Sequence, residues 1–575
     1  MVLACLSLSP SYLMTYYECM TESVKPHIRN TPFPQNTQPY SGKKPVVLVI
    51  LDGWGIGPEY EGNAVTLANT PHIDRLWQEY PHTQLGASGE SVGLPKGVDG
   101  NSETGHLNIG AGRVVWQSLS RVDKAIEDGS FFQNEVLLGA IEHAKKNNSR
   151  LHLVGLVGPG FVHSNTEHLI ALLKLAKDQH FTNVAVHAFT DGRDSAPTAG
   201  MQSLSELEQT MQQLGVGKLA SIAGRFYGMD RDRNWERTQQ AFEMLTVGKG
   251  IQTTDWRKTL QESYDQKDTD EFVLPMVMVD QAGQPTIIED HDAVVFFNFR
   301  VDRPRQLTWA FVLPDFEYRD LMGSSSGRPV DFNQIDQSKI VNFKRVKVPQ
   351  GVYFATMTDY DKDLTNPKAF AKEDVENNLG LVLSQAGVRQ YRTTETEKEK
   401  MVTYYIDGKS ETPYPGEYWA IFPSKKVRTY AEKPAMTAVE ITDELVKQIH
   451  DDQFDAAIVN LCNGDMVGHT GDLQAGIKAC ETVDQQLGRI VEAINAKRGI
   501  LIITADHGNV EEMIDQQTGG IDTKHSIYPV PLIVVGSDLQ GAPELPTGVL
   551  GDVAPTMLKL MNIPQPAEMT GKSLI

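Results

Sequence analysis

The chain has 575 residues, a length that allows two or more domains and a large buried core. Its formal net charge of −21 excludes general binding to nucleic acid or to an anionic membrane surface, so an anionic substrate must be met by basic residues gathered locally. Four cysteines (Cys5, Cys19, Cys462 and Cys480) show no metal-type spacing and are too few for a disulfide framework, which points to reduced thiols in a cytoplasmic setting; no apolar run approaches the roughly 18 residues of a membrane span.

Residues 1–44 read as a disordered N-terminal extension. Val2–Leu8 is apolar but short, lacks a basic flank, and is followed by a polar segment rich in Pro, Asn, Gln and Thr, which argues against a secretory signal. Pro45–Leu51 is a continuous apolar run of the kind found in central parallel strands. The glycines that follow, Gly53, Gly55 and Gly57, have GxGxG rather than GxGxxG spacing, and no helical run follows at once, so a dinucleotide fingerprint is rejected. Asp52 instead occupies the carboxyl end of a strand, where open α/β sheets place functional groups, although a solvated turn aspartate would look the same.

The stretch Asn101–Arg113 reads as a glycine-bounded loop that delivers Ser102 to the start of a short helix, where N–H groups and the helix dipole favour an anion. A serine there becomes a nucleophile only if its hydroxyl pKa is lowered. No GxSxG triad motif surrounds it, and a bound metal ion would serve. An ordinary capping serine gives the same local pattern.

From about Ser118 to Val348 the chain alternates helix and strand on its own account. Strands are expected at Leu151–Val157, Val184–Phe189, Leu219–Ala223 and Ala293–Phe299, with helices such as Glu167–Lys177, Gln202–Leu214 and Arg233–Leu245 between them. Each strand ends in a polar cluster: His163 after the first, Asp191-Gly192-Arg193-Asp194 after the second, Arg225 and Met229–Arg233 after the third, Arg300–Arg303 after the fourth. Guanidinium groups grip carboxylate or phosphate with two parallel hydrogen bonds, so successive arginine-bearing strand ends suggest a pocket for a small polyanion. Surface ion pairs with the neighbouring aspartates are the plainer alternative.

Val348–Gly351 reads as a crossing back, followed by a strand at Val352–Met357 and a helix at Asn378–Ala386. The charge run Thr394–Lys400 reads by itself as a solvated face, next to a strand at Met401–Ile406. Two more apolar strands, Asp455–Leu461 and Ile500–Thr504, end in Asn463–His469 and in Asp506-His507-Gly508-Asn509, and His525 precedes the apolar Val530–Val535. Asp465 and His469, four apart, share one face of a helical turn. Three apolar strands each ending in Asp or in Asp with His signal a carboxylate–imidazole metal site. Oxygen and nitrogen donors without cysteine suit Mn²⁺ or Zn²⁺, with Co²⁺ also compatible. If Asp52 and Ser102 share that site with the later ligands, the middle segment is an insertion. The expected architecture is therefore two-domain α/β: a discontinuous metal-binding domain, 45–117 plus 349–575, and an inserted substrate-binding domain, 118–348.

With these residues assembled, the chain from about Pro45 to its end resembles the cofactor-independent phosphoglycerate mutases of the alkaline-phosphatase superfamily. The resemblance is carried by Val49–Gly55, the Ser102 loop, Asp191–Pro197, Gly224–Asp232, Asn298–Arg303, Asp465–Gly471 and Ala505–Asn509. It implies an isomerase that interconverts 3- and 2-phosphoglycerate in glycolysis and gluconeogenesis, with no 2,3-bisphosphoglycerate primer. It further implies two Mn²⁺ ions, one held by Asp465, His469 and His525, the other by Asp52, Ser102, Asp506 and His507, with Ser102 phosphorylated in turn. Substrate contacts would fall on His163, Arg193, Asp194, Arg225, Arg231, Arg300, Arg303 and Lys398, with Asp194 as general base and acid. The inserted domain would close over the other, hinging near Gln117–Ser120 and Val348–Gly351. A cytoplasmic monomer is expected. Three positions depart from the family pattern: Met401 where His is expected, Gly158–Phe161 in place of Ser-Asp-Gly-Gly, and Asn165 where a second His is common.

Overall fold

The computed structural model describes residues 25–34, 37–42, 44–317, 342–372, 374–541 and 543–575. Its strands, in chain order, begin with β1 (His27–Asn30), β2 (Val46–Leu51), β3 (His82–Gly86), β4 (Leu151–Val157), β5 (Val184–Thr190) and β6 (Lys218–Gly224). There follow β7 (Ile251–Thr253), β8 (Met276–Met278), β9 (Ala293–Phe296), β10 (Tyr353–Thr358) and β11 (Lys368–Phe370). The last are β12 (Gln390–Glu395), β13 (Glu417–Phe422), β14 (Ala456–Leu461), β15 (Ile500–Thr504), β16 (Val530–Gly536) and β17 (Gly548–Val549). The chain divides into two α/β units, one made of residues up to Trp116 together with Asp374–Ile575, the other running from Gln117 to residue 373.

The first unit is built on a nine-stranded sheet in the order β1-β13-β12-β14-β2-β15-β16-β3-β17. Its middle, β12-β14-β2-β15, is parallel throughout. Every residue of β2 and β14 is buried, as continuous apolar runs require when both faces of the sheet are covered. The helix Leu473–Ala496 adds Val483, Leu487, Ile490 and Ile494 to the same core. Because the four strands run the same way, the loops at their carboxyl ends leave along one edge. Those loops carry Lys398, Asp465, Asp52 and Asp506.

The second unit has an eight-stranded sheet, β11-β10-β9-β4-β5-β6-β8-β7, parallel from β11 to β6. Its carboxyl-end loops bear Arg300–Arg303 after β9, His163 after β4, Asp191–Asp194 after β5 and Arg225 after β6.

Three expectations differ from this structure. The extension placed at 1–44 lies outside the described residues up to 24, but His27–Asn30 is ordered as β1, paired antiparallel with β13, and the Tyr40 hydroxyl donates to the Met561 carbonyl at 2.7 Å. A short, exposed, charged strand has no hydrophobic alternation to betray it; what orders it is the open edge of the sheet. The crossing back comes near residue 373 rather than 348, because β10 and β11 pair in parallel with β9 in the second sheet. An apolar run specifies a buried strand without saying which sheet receives it. Met401–Tyr405 forms a wide helical turn, not a strand, and its Val402 carbonyl is held by the fully buried Arg392 at 3.0 Å.

Four polar side chains cross the second sheet inside its core. Asp292 Oδ2 accepts from His152 Nε2 at 3.0 Å; His152 Nδ1 meets His187 Nε2 at 2.8 Å; His187 Nδ1 meets Ser221 Oγ at 2.7 Å. All four groups are thereby satisfied with both rings neutral, as burial requires. Burial lowers the pKa of His152 against the pull of Asp292, and burial with the neighbouring His152 ring lowers that of His187 further. The unfolded chain therefore takes up protons near pH 6.5, as a free imidazole does, when the folded chain does not. Stability should be whole above that value and decline as the pH falls below it, while carboxylates are still ionised. Because the raised pKa values of His469 and His525 act in the opposite sense, the pair is read by difference. From about pH 7.5 to about pH 5 the melting midpoint of the parent should fall more than that of His187→Gln, and equal falls would contradict the neutral pair.

Candidate functional site

The first unit gathers its polar groups around Ser102. The helix Ser102–Ala111 is capped by Asn101, whose side chain accepts from the Thr104 N–H at 2.9 Å. Ser102 is thus the first helical residue and not the cap, and its hydroxyl is free for other partners. Ser102 Oγ lies 2.6 Å from Lys398 Nζ, 2.9 Å from His507 Nε2 and 3.4 Å from Asp52 Oδ1. Gly105 allows the helix to press against the end of β15: a Cβ there would stand 2.4 Å from the Asp506 carbonyl oxygen.

Lys398, which its own sequence context assigns to a solvated face, is 6 % exposed and stands among carboxylates. Its Nζ donates to Asp52 Oδ1 at 2.9 Å and to Asp465 Oδ2 at 2.7 Å. Burial alone would push its pKa down, but Asp52, Asp465 and Asp506 together raise it above the usual lysine value. In return, although burial opposes ionisation of Asp465, Lys398, His469 and His525 hold its carboxyl well below the ordinary range. Asp506 is likewise held low against burial by His507, His106 and Lys398.

These residues fit a divalent cation. Asp52, Asp506 and His507 present ligand atoms within 4.8 Å of one another, as do Asp465, His507 and His525. His469 Nε2 and His525 Nε2 each lie 3.1 Å from Asp465 Oδ1. His469 Nδ1 donates to the Thr523 carbonyl, His507 Nδ1 to that of Gly508 and His525 Nδ1 to that of Gly100, so all three Nε2 lone pairs are presented to the centre. Such backbone anchoring fixes the tautomer a metal ligand needs. Asp506 Oδ2 is buried without a hydrogen-bond partner, a state that a cation would relieve. The seven expected ligands and Lys398 therefore converge, with His507 common to both clusters.

Sequence reasoning missed two supports of this centre. His106, one turn after Ser102, and Asn460, the polar residue of β14, are fully buried and join the network. The i, i+4 spacing from Ser102 and an amide inside an apolar strand were the available signals.

The second unit gathers positive charge. Arg225, 2 % exposed, donates through Nη1 to Asp191 Oδ1 at 2.6 Å and to Asp194 Oδ2 at 2.5 Å. Asp302, not among the expected residues, pairs with Arg231 at 2.5 Å and Arg300 at 3.2 Å. Arg303 donates to the Met229 carbonyl, and Arg193 lies half-exposed, 3.7 Å from Glu271. His163 sits 3.6 Å from both Asp194 and Asp302; burial, then Arg225, bring its pKa down to about 4. Burial and the adjacent Arg225, Arg231 and Arg193 lower the pKa of Arg303 as well. His163 Nδ1, Arg225 Nε and Arg303 Nε are buried without hydrogen-bond partners. The arginines are thus both ion-paired and convergent, with donors to spare for an anion.

Of the three departures, Asn165 caps the helix Thr166–Asp178, accepting from the Glu167 N–H at 3.0 Å. Gly158–Phe161 is a loop with Phe161 exposed, and Met401 opens the wide helical turn.

Residues 122–362 match the family model described as the BPG-independent PGAM N-terminus. The 2,3-bisphosphoglycerate-independent phosphoglycerate mutase of Clostridium botulinum is 47% identical over 534 residues, 93% of this chain and 99% of the relative. That of Chloroflexus aurantiacus is 48% identical over 540 residues, 92% and 98% of the two chains. Among solved structures, Leishmania mexicana phosphoglycerate mutase, crystallised at low cobalt concentration, matches with a TM-score of 0.51 and 30% identity over 96% of this chain and 99% of that one.

The charge balance around Lys398 can be tested directly. Lys398→Met leaves three buried carboxylates without their ammonium and should destabilise chelator-treated protein by about 3–5 kcal/mol. Added Mn²⁺ should restore most of the lost melting temperature. A variant that melts like the parent in chelator would contradict the assignment.

Proposed function

The chain belongs to the 2,3-bisphosphoglycerate-independent phosphoglycerate mutases, isomerases that interconvert 3- and 2-phosphoglycerate, and from that premise we propose that Ser102 carries the phosphoryl group between the two substrate hydroxyls. The observation that supports this most directly is the placing of Ser102 Oγ, freed from capping by Asn101, against Lys398, His507 and Asp52.

In this reading Asp465, His469 and His525 hold one divalent ion and Asp52, Ser102, Asp506 and His507 the other. Mn²⁺ is the ion we assign, with Co²⁺ or Zn²⁺ accommodated by the same donors. When bound, such ions lower the pKa of a neighbouring hydroxyl and offset the negative charge of a transferring phosphoryl group. The chain's own residues do the rest. Ser102 Oγ attacks phosphorus as the bond to the C3 oxygen breaks; the C2 hydroxyl then attacks the phosphoserine as the bond to Ser102 breaks. Lys398 holds its ammonium against the phosphoryl oxygens. Arg193, Arg225, Arg231, Arg300 and Arg303 bind the glycerate carboxylate and phosphate, and His163, neutral at pH 7, contributes a hydrogen bond. Asp194, ionised at rest, passes to the departing C3 oxygen the proton that Ser102 gives up. In the second displacement it takes from the C2 hydroxyl the proton that returns to Ser102, so no proton is gained or lost overall. Because the glycerate stays bound between the two displacements, no bisphosphoglycerate primer is needed.

We place the protein in the cytoplasm as a monomer acting on a small molecule; among the described residues no helix is long and apolar enough to cross a membrane. Ser102→Ala should lower turnover of 3-phosphoglycerate, assayed without 2,3-bisphosphoglycerate, by about 10⁴-fold or more even at saturating Mn²⁺, where Asp52, Asp506 and His507 still hold the second ion. Substantial residual mutase activity would refute the nucleophile. Arg300→Ala or Arg303→Ala should reduce kcat/KM for isomerisation by about 10- to 100-fold while sparing hydrolysis of an artificial phosphoester. Equal losses in both assays would make these arginines structural.

A further inference from the structure

We propose that Asn460 and His106 are positioning residues that set the ion affinity of the Asp52–Asp506–His507 cluster separately from that of the Asp465–His469–His525 cluster. The proposal rests on the reading that both clusters hold ions. Asn460 lies in β14 and is fully buried. Its Nδ2 donates to Asp52 Oδ2 at 2.7 Å and to His106 Nε2 at 3.0 Å, and its Oδ1 accepts from Thr394 Oγ1 at 3.3 Å. The threonine fixes which way the amide faces. Asp52 therefore has one oxygen tied to Asn460 and the other, Oδ1, turned toward Lys398 and Ser102.

His106 continues the chain of contacts. With Nε2 accepting from Asn460, its proton sits on Nδ1, which donates to the Ser102 carbonyl at 2.9 Å and stands 3.1 Å from Asp506 Oδ2. One amide and one imidazole thus link β12, β14, the end of β2, the serine helix and the end of β15. Asn460 orients the Asp52 carboxylate through a hydrogen bond, and His106 brings a ring N–H to 3.1 Å from the otherwise unpartnered Asp506 Oδ2. An aspartate at position 460 would set a carboxylate directly against that of Asp52.

The other cluster has its own supports. Asn509 Nδ2 donates to Asp465 Oδ1 at 3.1 Å, and the rings of His469 and His525 are anchored on the Thr523 and Gly100 carbonyls. Neither Asn460 nor His106 has a hydrogen bond or ion pair with Asp465, His469 or His525 among those the structure shows. Loss of an orienting hydrogen bond to a metal ligand typically weakens the ion by about 10- to 100-fold.

The test is Mn²⁺ titration of the chelator-treated full-length chain, followed by calorimetry and by electron paramagnetic resonance. Asn460→Ala should weaken one of two binding events by about 10- to 100-fold and leave the other within about threefold. The weakened event should be the one that Asp52→Asn also removes, and Asn509→Ala should weaken its counterpart instead. His106→Leu, which keeps the volume but removes the donor beside Asp506, is the second variant in case Asn460→Ala fails to fold, and should affect the same event as Asn460→Ala. Equal weakening of both events, or none, would overturn the proposal while leaving the two-ion reading intact. A parent protein that binds fewer than two ions would overturn that reading, and this proposal with it.

Discussion

Three carboxylates held out of water beside one another are the constraint on which the first unit turns. Neighbouring strands stand about 4.8 Å apart, so aspartates at the carboxyl ends of β14, β2 and β15 cannot avoid each other. Two unit charges about 5 Å apart repel by about 3 kcal/mol at an effective dielectric constant near 20. A fold that tolerates this needs positive charge at the same edge. Lys398, delivered by the next parallel strand, is part of the answer, and against the cost of its burial the three aspartates raise its pKa. Imidazoles anchored through Nδ1 complete a donor set whose remaining demand is for a cation with oxygen and nitrogen preferences.

The second unit uses the same device with the opposite sign. Open α/β sheets collect functional loops where their strands end, and here those loops bring arginines. Ion pairing and anion binding were alternative readings of the arginine-rich motifs, yet the structure shows them to be compatible. Asp191, Asp194 and Asp302 each hold a guanidinium in place through one part of its donor fork. The Nε atoms of Arg225 and Arg303 keep unspent donor capacity. Pairing of this kind preorganises the arginines, which lowers the entropy lost when an anion binds. The net charge of −21 is therefore no guide to the local field around His163, whose low pKa owes part of its shift to those guanidiniums.

What the sequence revealed and what it hid divide along the same physical line. Asp52 and Asp506 were legible because each comes within two residues of the end of a buried apolar strand, and Asp465, four residues beyond β14, because its i, i+4 spacing to His469 marks a helical turn. In the second unit the ends of β4, β5 and β6 were legible from their apolar runs as well, whereas β9 stops at Phe296, three residues short of the expected Phe299. Lys398 was hidden because nothing in Thr394–Lys400 shows that β12 lies beside β14; its burial is a consequence of non-local pairing. The run after it, from Met401, carries β-branched and aromatic residues that suit a strand, but Arg392 draws its backbone into a helical turn. The return of the chain near residue 373 was hidden likewise, since the apolar character of β10 names no partner. Short β1 lacked any pattern at all, and only the edge of β13 explains it.

The serine helix shows why a motif can look like a cap and yet be a reactive centre. A hydroxyl that satisfies the helix N–H groups is committed to the helix, and the N-cap position is where serine is most often found. In this chain the commitment is made by Asn101, one residue earlier, so the serine that follows keeps the field of the helix terminus without being consumed by it. Gly105 has a separate task, letting the helix approach Asp506 closely enough for Ser102 to meet His507. His106 has another, holding the Ser102 carbonyl from one turn below. The chemistry of Ser102 is thus specified less by the serine than by an amide before it, a missing side chain after it, and a buried imidazole beyond. Substituting any of those three residues should disturb the hydroxyl while leaving it in place, which distinguishes a positioned nucleophile from a serine that merely begins a helix.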